Sequence, residues 1–599
     1  AIGAEARALG LSCVLGPGIN IKRSPLCGRN FEYFSEDPLL SGRMGAGVVN
    51  GLQSQGVAAC LKHFAANNQE DYRFWVDVRA DERTLREIYL ASFEYALMFS
   101  KPKVFMCSYN KINGQFASEN RWLLTEVLRD GWGYDGIVMS DWGAVNSRPQ
   151  GVWAGLDLEM PGSFGVNDAE VLKSVRGEDT AIATTDPDFT QLTEAEIDLA
   201  TERMLNFILD LEESTSGTVP IVSHKENHKL AREIAAESMV LLENSGGILP
   251  LKRGEKVAVV GDLATNPVYQ GGGSSRIVPT KVDIPFDCIA EYAQIIPLEK
   301  AKTVIVFAGT PDGYDTEGTD RTSLDLPAEQ YKLLLELQAQ GKNIVLVICA
   351  GAPVHIPFGF ASAVLLAYYG GQAMGGAVAD LLFGVKNPCG KLAETFPHEL
   401  KHTPCYGNFP GDGVSVTYAE GTLVGYRWYN NWGIGVNYPF GYGLSYTTFE
   451  YGEWAVSGNQ ATVTVTNTGD YDGKEIVQYY DSNGELRGFK KVFLAKGESK
   501  TVTVDIIPKA GQITQSPVVP KVTLYTQVKA LWKIPNGREL LDEIGAKFGV
   551  EVTEELVNTR DCSSFVGNML RNMVTMFDLG WSFADLQARI DRINEMNGL

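Results

Sequence analysis

What most limits the fold of this chain is a rhythm over residues 1–212, where short apolar runs alternate with helical patterns. The runs are Leu11–Leu15, Val57–Leu61, Val104–Cys107, Ile137–Met139 and Leu156–Met160. The predicted helices include Leu39–Gln55, Asp81–Ser100 and Leu123–Arg129. Runs that are apolar throughout read as strands buried on both faces, and alternation with helices makes those strands parallel. Residues 1–212 are therefore expected to form most of a (β/α) barrel. Each run leads into a polar tip: Gly16-Pro17-Gly18-Ile19-Asn20, Lys62-His63-Phe64, Ser108-Tyr109-Asn110, Ser140-Asp141-Trp142 and Glu159-Met160-Pro161. One such tip is an ordinary loop. Several, all at strand C-termini, describe the rim of an active site. Asp141 is the candidate nucleophile, because an ionised carboxylate placed directly after a buried strand is costly unless something nearby needs it. Taken alone, it would read as a helix cap or a loop acid.

Beyond a polar stretch at 175–192, a helix at Thr193–Asp210 and a linker at Ser214–Pro220, residues 221–430 alternate again. A helix Asn227–Asn244, strands Val257–Val260, Val304–Ala308, Ile344–Cys349 and Ala363–Ala367, and a helix Pro327–Gln340 predict an α/β sandwich. Val257–Asp262 resembles the opening of a dinucleotide fold. No G-x-G-x-x-G comes after it, and Gly271–Ser275 comes too late, so no cofactor is expected. From residue 446 the period changes to two, in Ala461–Gly469, Glu475–Tyr480 and Lys500–Asp505. That predicts a short β-sandwich over 446–510 with only part of its strands visible. Residues 520–599 read as a helical tail in which Phe583, Leu586, Ile590 and Ile593 recur at helical spacing.

Composition removes some classes of function. The 73 acidic residues against 52 basic ones give a net charge of −21, which disfavours nucleic acid and anionic membranes. It fits a neutral substrate, although an acidic solvated surface explains it equally. No apolar run approaches the roughly 18 residues of a membrane span. The nine cysteines are odd in number and lack a C-x-x-C pair, so buried free thiols are expected. The compartment stays open; unpaired thiols and no visible signal peptide lean towards the cytoplasm. Ala1-Ile2-Gly3-Ala4-Glu5 reads as the inside of a helix, so the chain is expected to start mid-fold. No metal-ligand spacing occurs among the six histidines, and no G-x-S-x-G elbow is present; no metal is expected.

Several motifs resemble glycoside hydrolase family 3, β-glucosidase type. In the first region they are Gly16–Ile21, Cys27-Gly28-Arg29-Asn30-Phe31-Glu32, Lys62-His63-Phe64-Ala65-Ala66-Asn67, Tyr109–Gly114 and Val138–Gly143. Later ones are Thr316-Glu317-Gly318-Thr319-Asp320-Arg321, Val424–Tyr429 and Pro439–Tyr446. The resemblance runs to about residue 505 in the family's order. It implies a barrel, an α/β sandwich and a fibronectin-III-like module. Two departures stand out: the family carries a first barrel strand and a sugar-binding Asp ahead of this chain's residue 1, and the last module is short.

By the resemblance, Asp141 is the nucleophile and Glu317 the acid/base of a retaining, exo-acting β-glucosidase. Its substrates would be cellobiose, cello-oligosaccharides or aryl glucosides. Such chemistry needs two carboxyl groups about 5–5.5 Å apart. Asp141 is expected to be kept ionised by Lys62, Arg29 and Arg73, and Glu317 to have a raised pKa so that it carries a proton near neutrality. Arg29, Lys62, His63, Arg73, Met106, Tyr109, Trp142 and Ser274 are the implied sugar-binding residues. The bland alternatives are a core His63 and Met106, surface-paired arginines, rim packing for Trp142 and a plain flexible loop around Ser274. Ala65-Ala66-Asn67-Asn68 lacks the His-Asp dyad of the family's N-acetylhexosaminidases, and Trp142 stands where its xylosidases tend to have Cys. A β-xylosidase or arabinosidase, or an inactive carbohydrate-binding protein, remain the competing readings. A homodimer is expected, with the tail and its Met569, Met573 and Met576 covering a neighbour's barrel or its own.

Overall fold

The computed structural model describes residues 1–182, 184–356, 359–511, 531, 536–548, 551–553 and 582–596. The chain divides into two compact units, Ala1–Gln512 and Ile513–Leu599. In the first, strands Cys13–Val14, Ala58–Phe64, Val104–Cys107 and Ile137–Met139 lie side by side in that order, all parallel. Leu158 joins Met139 by a single parallel bridge. Every residue of the last three strands is buried, as continuous apolar runs require. Leu61, Phe64, Phe105 and Val138 pack with the surrounding helices, while Ala58, Cys60, Val104, Met106, Ile137 and Met139 form a cluster on the opposite face. This is a (β/α) barrel-type domain.

Asp37 caps the helix Pro38–Gln53 by accepting the Leu40 N–H at 2.9 Å, and Pro38 occupies the first turn. That helix crosses Ala91–Ser100 closely at Gly42, where a Cβ would stand 2.6 Å from the Ser92 carbonyl. The single helix expected over Asp81–Ser100 is broken. A short turn Glu82–Thr84 runs into a wide π-helical turn, Leu85–Tyr89, before Ala91–Ser100. The extra residue of a wide turn rotates the next helical segment about its axis, and Leu85, Ile88, Tyr89 and Phe93 are all buried.

The second domain is a six-stranded sheet in the order Gln294–Ile295, Lys256–Val260, Thr303–Gly309, Asn343–Cys349, Ala363–Leu366, Val240–Asn244. All its pairings are parallel except the last. The helix expected over Asn227–Asn244 therefore needs correction: it is His224–Ser238, and Val240–Asn244 is an edge strand. Met239 and Leu241 pack into the core on one face of the sheet, Val240 and Leu242 into the core on the other. Only a period of two puts successive apolar residues on opposite faces.

The two domains are sewn together. Ser415–Thr417, from a long excursion of the second domain, adds a parallel strand to the barrel domain's Asp77–Arg79, which pairs in turn with Lys111–Ile112. Nearby, the buried Glu36 carboxylate accepts the Thr395 N–H at 2.9 Å and the Tyr426 N–H at 2.7 Å. A β-sandwich comes next. Phe449–Tyr451, Ala455–Ser457, Gln460–Asn467 and Ser499–Asp505 form one sheet, Gly473–Tyr480 and Leu486–Leu494 the other. Val463, Val465, Val477, Leu494, Val502 and Val504 fill the space between them. Leu486–Leu494 was invisible to a period-two reading because its centre, Lys490-Lys491, breaks the alternation.

In the second unit, helices Gly537–Lys547 and Phe583–Met596 bury Leu540, Leu541, Ile544, Leu586, Ile590 and Ile593 and are joined by Arg589 to Glu543 at 2.8 Å. Met569, Met573 and Met576 lie outside the described residues, as do Cys562 and the Phe583 side chain. Among the described residues eight cysteines carry free thiols, seven of them buried. Among the described residues no helix is long and apolar enough to cross a membrane.

Candidate active site

The strand Ala58–Phe64 delivers Lys62 and His63 to the barrel rim. Lys62 Nζ lies 3.0 Å from Glu32 Oε1, and Arg29 Nε donates to Glu32 Oε2 at 2.7 Å, so one acid holds two cations in place. Asn20 clamps the His63 backbone on both sides, accepting its N–H at 2.8 Å and donating to its carbonyl at 2.9 Å. Nδ1 of His63 is 3.3 Å from the Tyr33 hydroxyl and Nε2 is 3.7 Å from Asp141 Oδ2. Burial first, then the charges of Arg29, Lys62 and Arg73, push the imidazole well below its ordinary pKa, so the ring is neutral.

Asp141 comes directly after the strand Ile137–Met139 and Ser140. Its Oδ1 accepts the Trp142 N–H at 2.7 Å, while the buried Oδ2 accepts no hydrogen bond among the described residues. Of the cations expected to favour its ionised form, Arg29 and Lys62 do so, but burial acts against them. Burial raises its pKa, and the Trp142 N–H, Arg29, Tyr109 and Lys62 oppose that shift without cancelling it. Desolvation wins because only 7% of the residue is exposed. Tyr109 is buried beneath Phe74, ring centroids 4.6 Å apart. Burial raises its phenol, the charges of Asp141 and Glu317 push the same way, and Arg73 opposes them. Trp142 is 43% exposed, an open aromatic face beside Asp141. Met106 differs from the other candidates: it sits in the apolar cluster with Cys60 and Met139, a packing position.

Glu317 comes from the other domain, on the loop after the strand Thr303–Gly309. Two anchors hold that loop. Asp315 and Arg321 form a fully buried ion pair at 2.5 Å. The Asp320 carboxylate reaches into the barrel domain and accepts the N–H groups of Gly28 and Glu70 at 2.9 Å and of Asp71 at 3.0 Å. The approach is close enough that a Cβ on Gly28 would stand 1.9 Å from the Thr319 carbonyl oxygen. So placed, Glu317 Oε1 accepts from Arg73 at 2.9 Å, with Arg29 at 3.6 Å, and Oε2 accepts the Ser274 N–H at 2.7 Å. The Gly271–Ser275 loop is thus part of the site. Gly273, at φ +101°, cannot carry a side chain because its Cβ would meet the Glu317 Cβ at 2.3 Å.

The raised pKa expected for Glu317 is corrected. Burial works in that direction, but the Arg29 charge and the hydrogen bonds from Ser274 and Arg73 outweigh it and hold the carboxyl at about 2. In the free site Glu317 is an anion between two guanidinium groups. The reading of the sequence also passed over four polar residues that organise these contacts: Asn20, Glu32, Glu70 and Asp320. Asn20, Glu32 and Asp320 lie inside motifs named above, yet nothing in a linear pattern shows that a carboxylate accepts three N–H groups from another domain.

A barrel rim carrying one carboxyl, faced by a second from an adjoining α/β domain and ringed by Lys, Arg and His, defines a glycoside hydrolase. Comparison with known proteins agrees. Residues 1–174 match the glycosyl hydrolase family 3 N terminal domain, and residues 239–446 match the glycosyl hydrolase family 3 C-terminal domain. The chain is 47% identical over 554 residues to thermostable beta-glucosidase B of Acetivibrio thermocellus, covering 85% of this chain and 72% of that one. It is 43% identical to an exo-alpha-(1->6)-L-arabinopyranosidase of Bifidobacterium breve, covering 84% and 70%. The crystal structure of a Bifidobacterium adolescentis family 3 beta-glucosidase superposes with a TM-score of 0.78 at 40% identity, over 84% of this chain and 78% of that one. The chain belongs to glycosyl hydrolase family 3.

Proposed function

We infer that this enzyme is an exo-acting β-glucosidase that removes terminal β-D-glucose by double displacement. The observation that carries the reading is the pairing at one rim of Asp141, whose buried Oδ2 accepts no hydrogen bond among the described residues, with Glu317, fixed by Arg73 at 2.9 Å. Asp141 attacks the anomeric carbon through that oxygen. Glu317 protonates the departing oxygen and then draws the proton from the water that releases the sugar. Lys62, His63, Arg29 and Arg73 hold the sugar hydroxyls, and Trp142 offers the sugar an apolar face. Sugar hydroxyls that take hydrogen bonds from Arg29 and Arg73 loosen the hold of both on Glu317. A closed site also excludes water, and the two effects together move Glu317 towards its protonated form.

A second reading comes from the arabinopyranosidase relative. An α-L-arabinopyranosyl unit has the same ring size as glucose but lacks C6 and carries its 4-hydroxyl in the opposite configuration, so the two differ at both positions in the sugar pocket. Release of nitrophenol from p-nitrophenyl β-D-glucoside, compared with the α-L-arabinopyranoside and the β-D-xyloside, decides between them. A kcat/KM highest on the glucoside supports the first reading. One highest on the arabinopyranoside replaces it with the second, and no release from any of the three discards both. We also propose a homodimer. Phe164, Val166, Leu172, Leu205 and Leu209 are exposed on and beside the helices Val166–Val175 and Glu194–Thr215, and a second copy of the chain would cover them.

A further inference from the structure

Glu70 is a buried acid whose charge the catalytic roles above leave unused. Its side chain is wholly excluded from solvent. Oε2 accepts from Arg73 Nη1 at 2.8 Å and from the Gly318 N–H at 2.8 Å. Oε1, also buried, accepts no hydrogen bond among the described residues. The same Nη1 of Arg73 stands 2.9 Å from Glu317 Oε1. A single guanidinium nitrogen therefore bridges two carboxylates, and the residue next to Glu317 is tied to the first of them. The other charged or titratable groups around Glu70 are Arg29, Asp320, Cys27 and Tyr33.

We propose that Glu70 is a positioning residue that shares Arg73 with Glu317 and so sets how firmly Arg73 holds the acid/base in its ionised form. A cation between two carboxylates divides its attraction between them, and each anion also repels the other through it. With Glu70 ionised, Glu317 takes up a proton more readily; with Glu70 neutral, Arg73 belongs to Glu317 alone. The geometry also makes this charge switchable. Burial raises the Glu70 carboxyl to about 7 against the pull of Arg29, Arg73 and the Gly318 N–H, so its charge comes and goes near neutrality. The inference rests on the assignment of Glu317 as acid/base.

The test is Glu70→Gln, which keeps the shape and removes the charge. Phenyl and dinitrophenyl glycosides of both β-D-glucose and α-L-arabinopyranose serve as substrates. The sugar that the parent enzyme prefers tests the functional reading. The ratio of variant to parent on that same sugar tests Glu70, whichever sugar it is. The alkaline limb of kcat, which reports the acid/base in the substrate-bound site, is expected to move down by about one pH unit, and phenyl glycosides to lose about tenfold more than dinitrophenyl ones, whose leaving group needs no proton. Glu70→Asp, which restores a charge, is expected to return the limb towards the parent's. Superimposable pH profiles with an equal loss on every leaving group would overturn the proposal. If the Gln variant does not fold, the coupling is read from its other end in Glu317→Gln. The part of the pH-dependence of Tm that Glu70 imposes then moves to lower pH, because Arg73 is left to Glu70. An unchanged Tm profile in that variant overturns the proposal as firmly.

Discussion

The Oδ2 of Asp141, which accepts no hydrogen bond among the described residues, makes a sharp demand on mutagenesis. Asp141→Asn preserves the size of the side chain and the contact with the Trp142 N–H but removes the nucleophile. Turnover is expected to fall by roughly four orders of magnitude with Tm within a few degrees of the parent. Activity within tenfold of the parent would show that another group attacks. Glu317→Ala should divide substrates by leaving group, sparing dinitrophenyl glucosides and crippling phenyl ones. Added azide should restore turnover of the activated substrate and yield β-glucosyl azide. Uniform loss without azide rescue would reduce Glu317 to a sugar-positioning role. Both residues were legible as strings, Asp141 at the end of a buried run and Glu317 within Glu-Gly-Thr-Asp-Arg. Their protonation was not. It depends on desolvation and on charges brought from residues far away in the chain: burial outweighs the cations at Asp141, and the direction at Glu317 is opposite to expectation.

For single elements, legibility tracked the number of faces buried. Val104–Cys107 and Ile137–Met139 are buried throughout, and they run as expected. Leu486–Leu494 escaped because a strand with one wet face tolerates Lys490-Lys491 there, and Val240–Asn244 was absorbed into the helix before it. The Glu317 loop is the element on which catalysis turns, and a linear pattern conveys nothing of its anchoring. Asp320→Asn keeps the side chain's size but loses a charge-assisted acceptor for three barrel-domain N–H groups. It is expected to lower kcat/KM on phenyl glucosides by about a hundredfold, since small displacements of catalytic groups are that costly. The smaller loss should fall on dinitrophenyl glucosides. Parent-like kinetics on both would mean that the Asp315–Arg321 pair suffices to place the loop.

Across the whole molecule, buried acids set how stability responds to pH. Glu36 and Glu70 are raised by burial to about 7 and Asp320 to about 6, all above their unfolded values. The native state then binds more protons than the unfolded one, so these groups make stability fall as pH rises from about 4.5 to about 7. Glu317, held at about 2, acts oppositely and makes stability fall as pH drops below about 4.5. Tm is expected to be highest in the mildly acidic range and to decline towards pH 8. Glu36→Gln should flatten that decline, and a Tm that rises steadily from pH 5 to pH 8 would contradict the assignment. Light scattering tests the dimer: a mass near the chain's 65.4 kDa at every concentration rejects it.

The strand Ser415–Thr417, laid into the barrel domain's own small sheet, bears on traffic through the site. Domains joined by a single linker can part like jaws and release what they hold. Here a returning thread of the second domain is stitched to the first, so parting them means tearing a ladder of backbone hydrogen bonds. The way in is then the way out. Freed sugar has to leave through the doorway by which the next substrate arrives, and it queues against it.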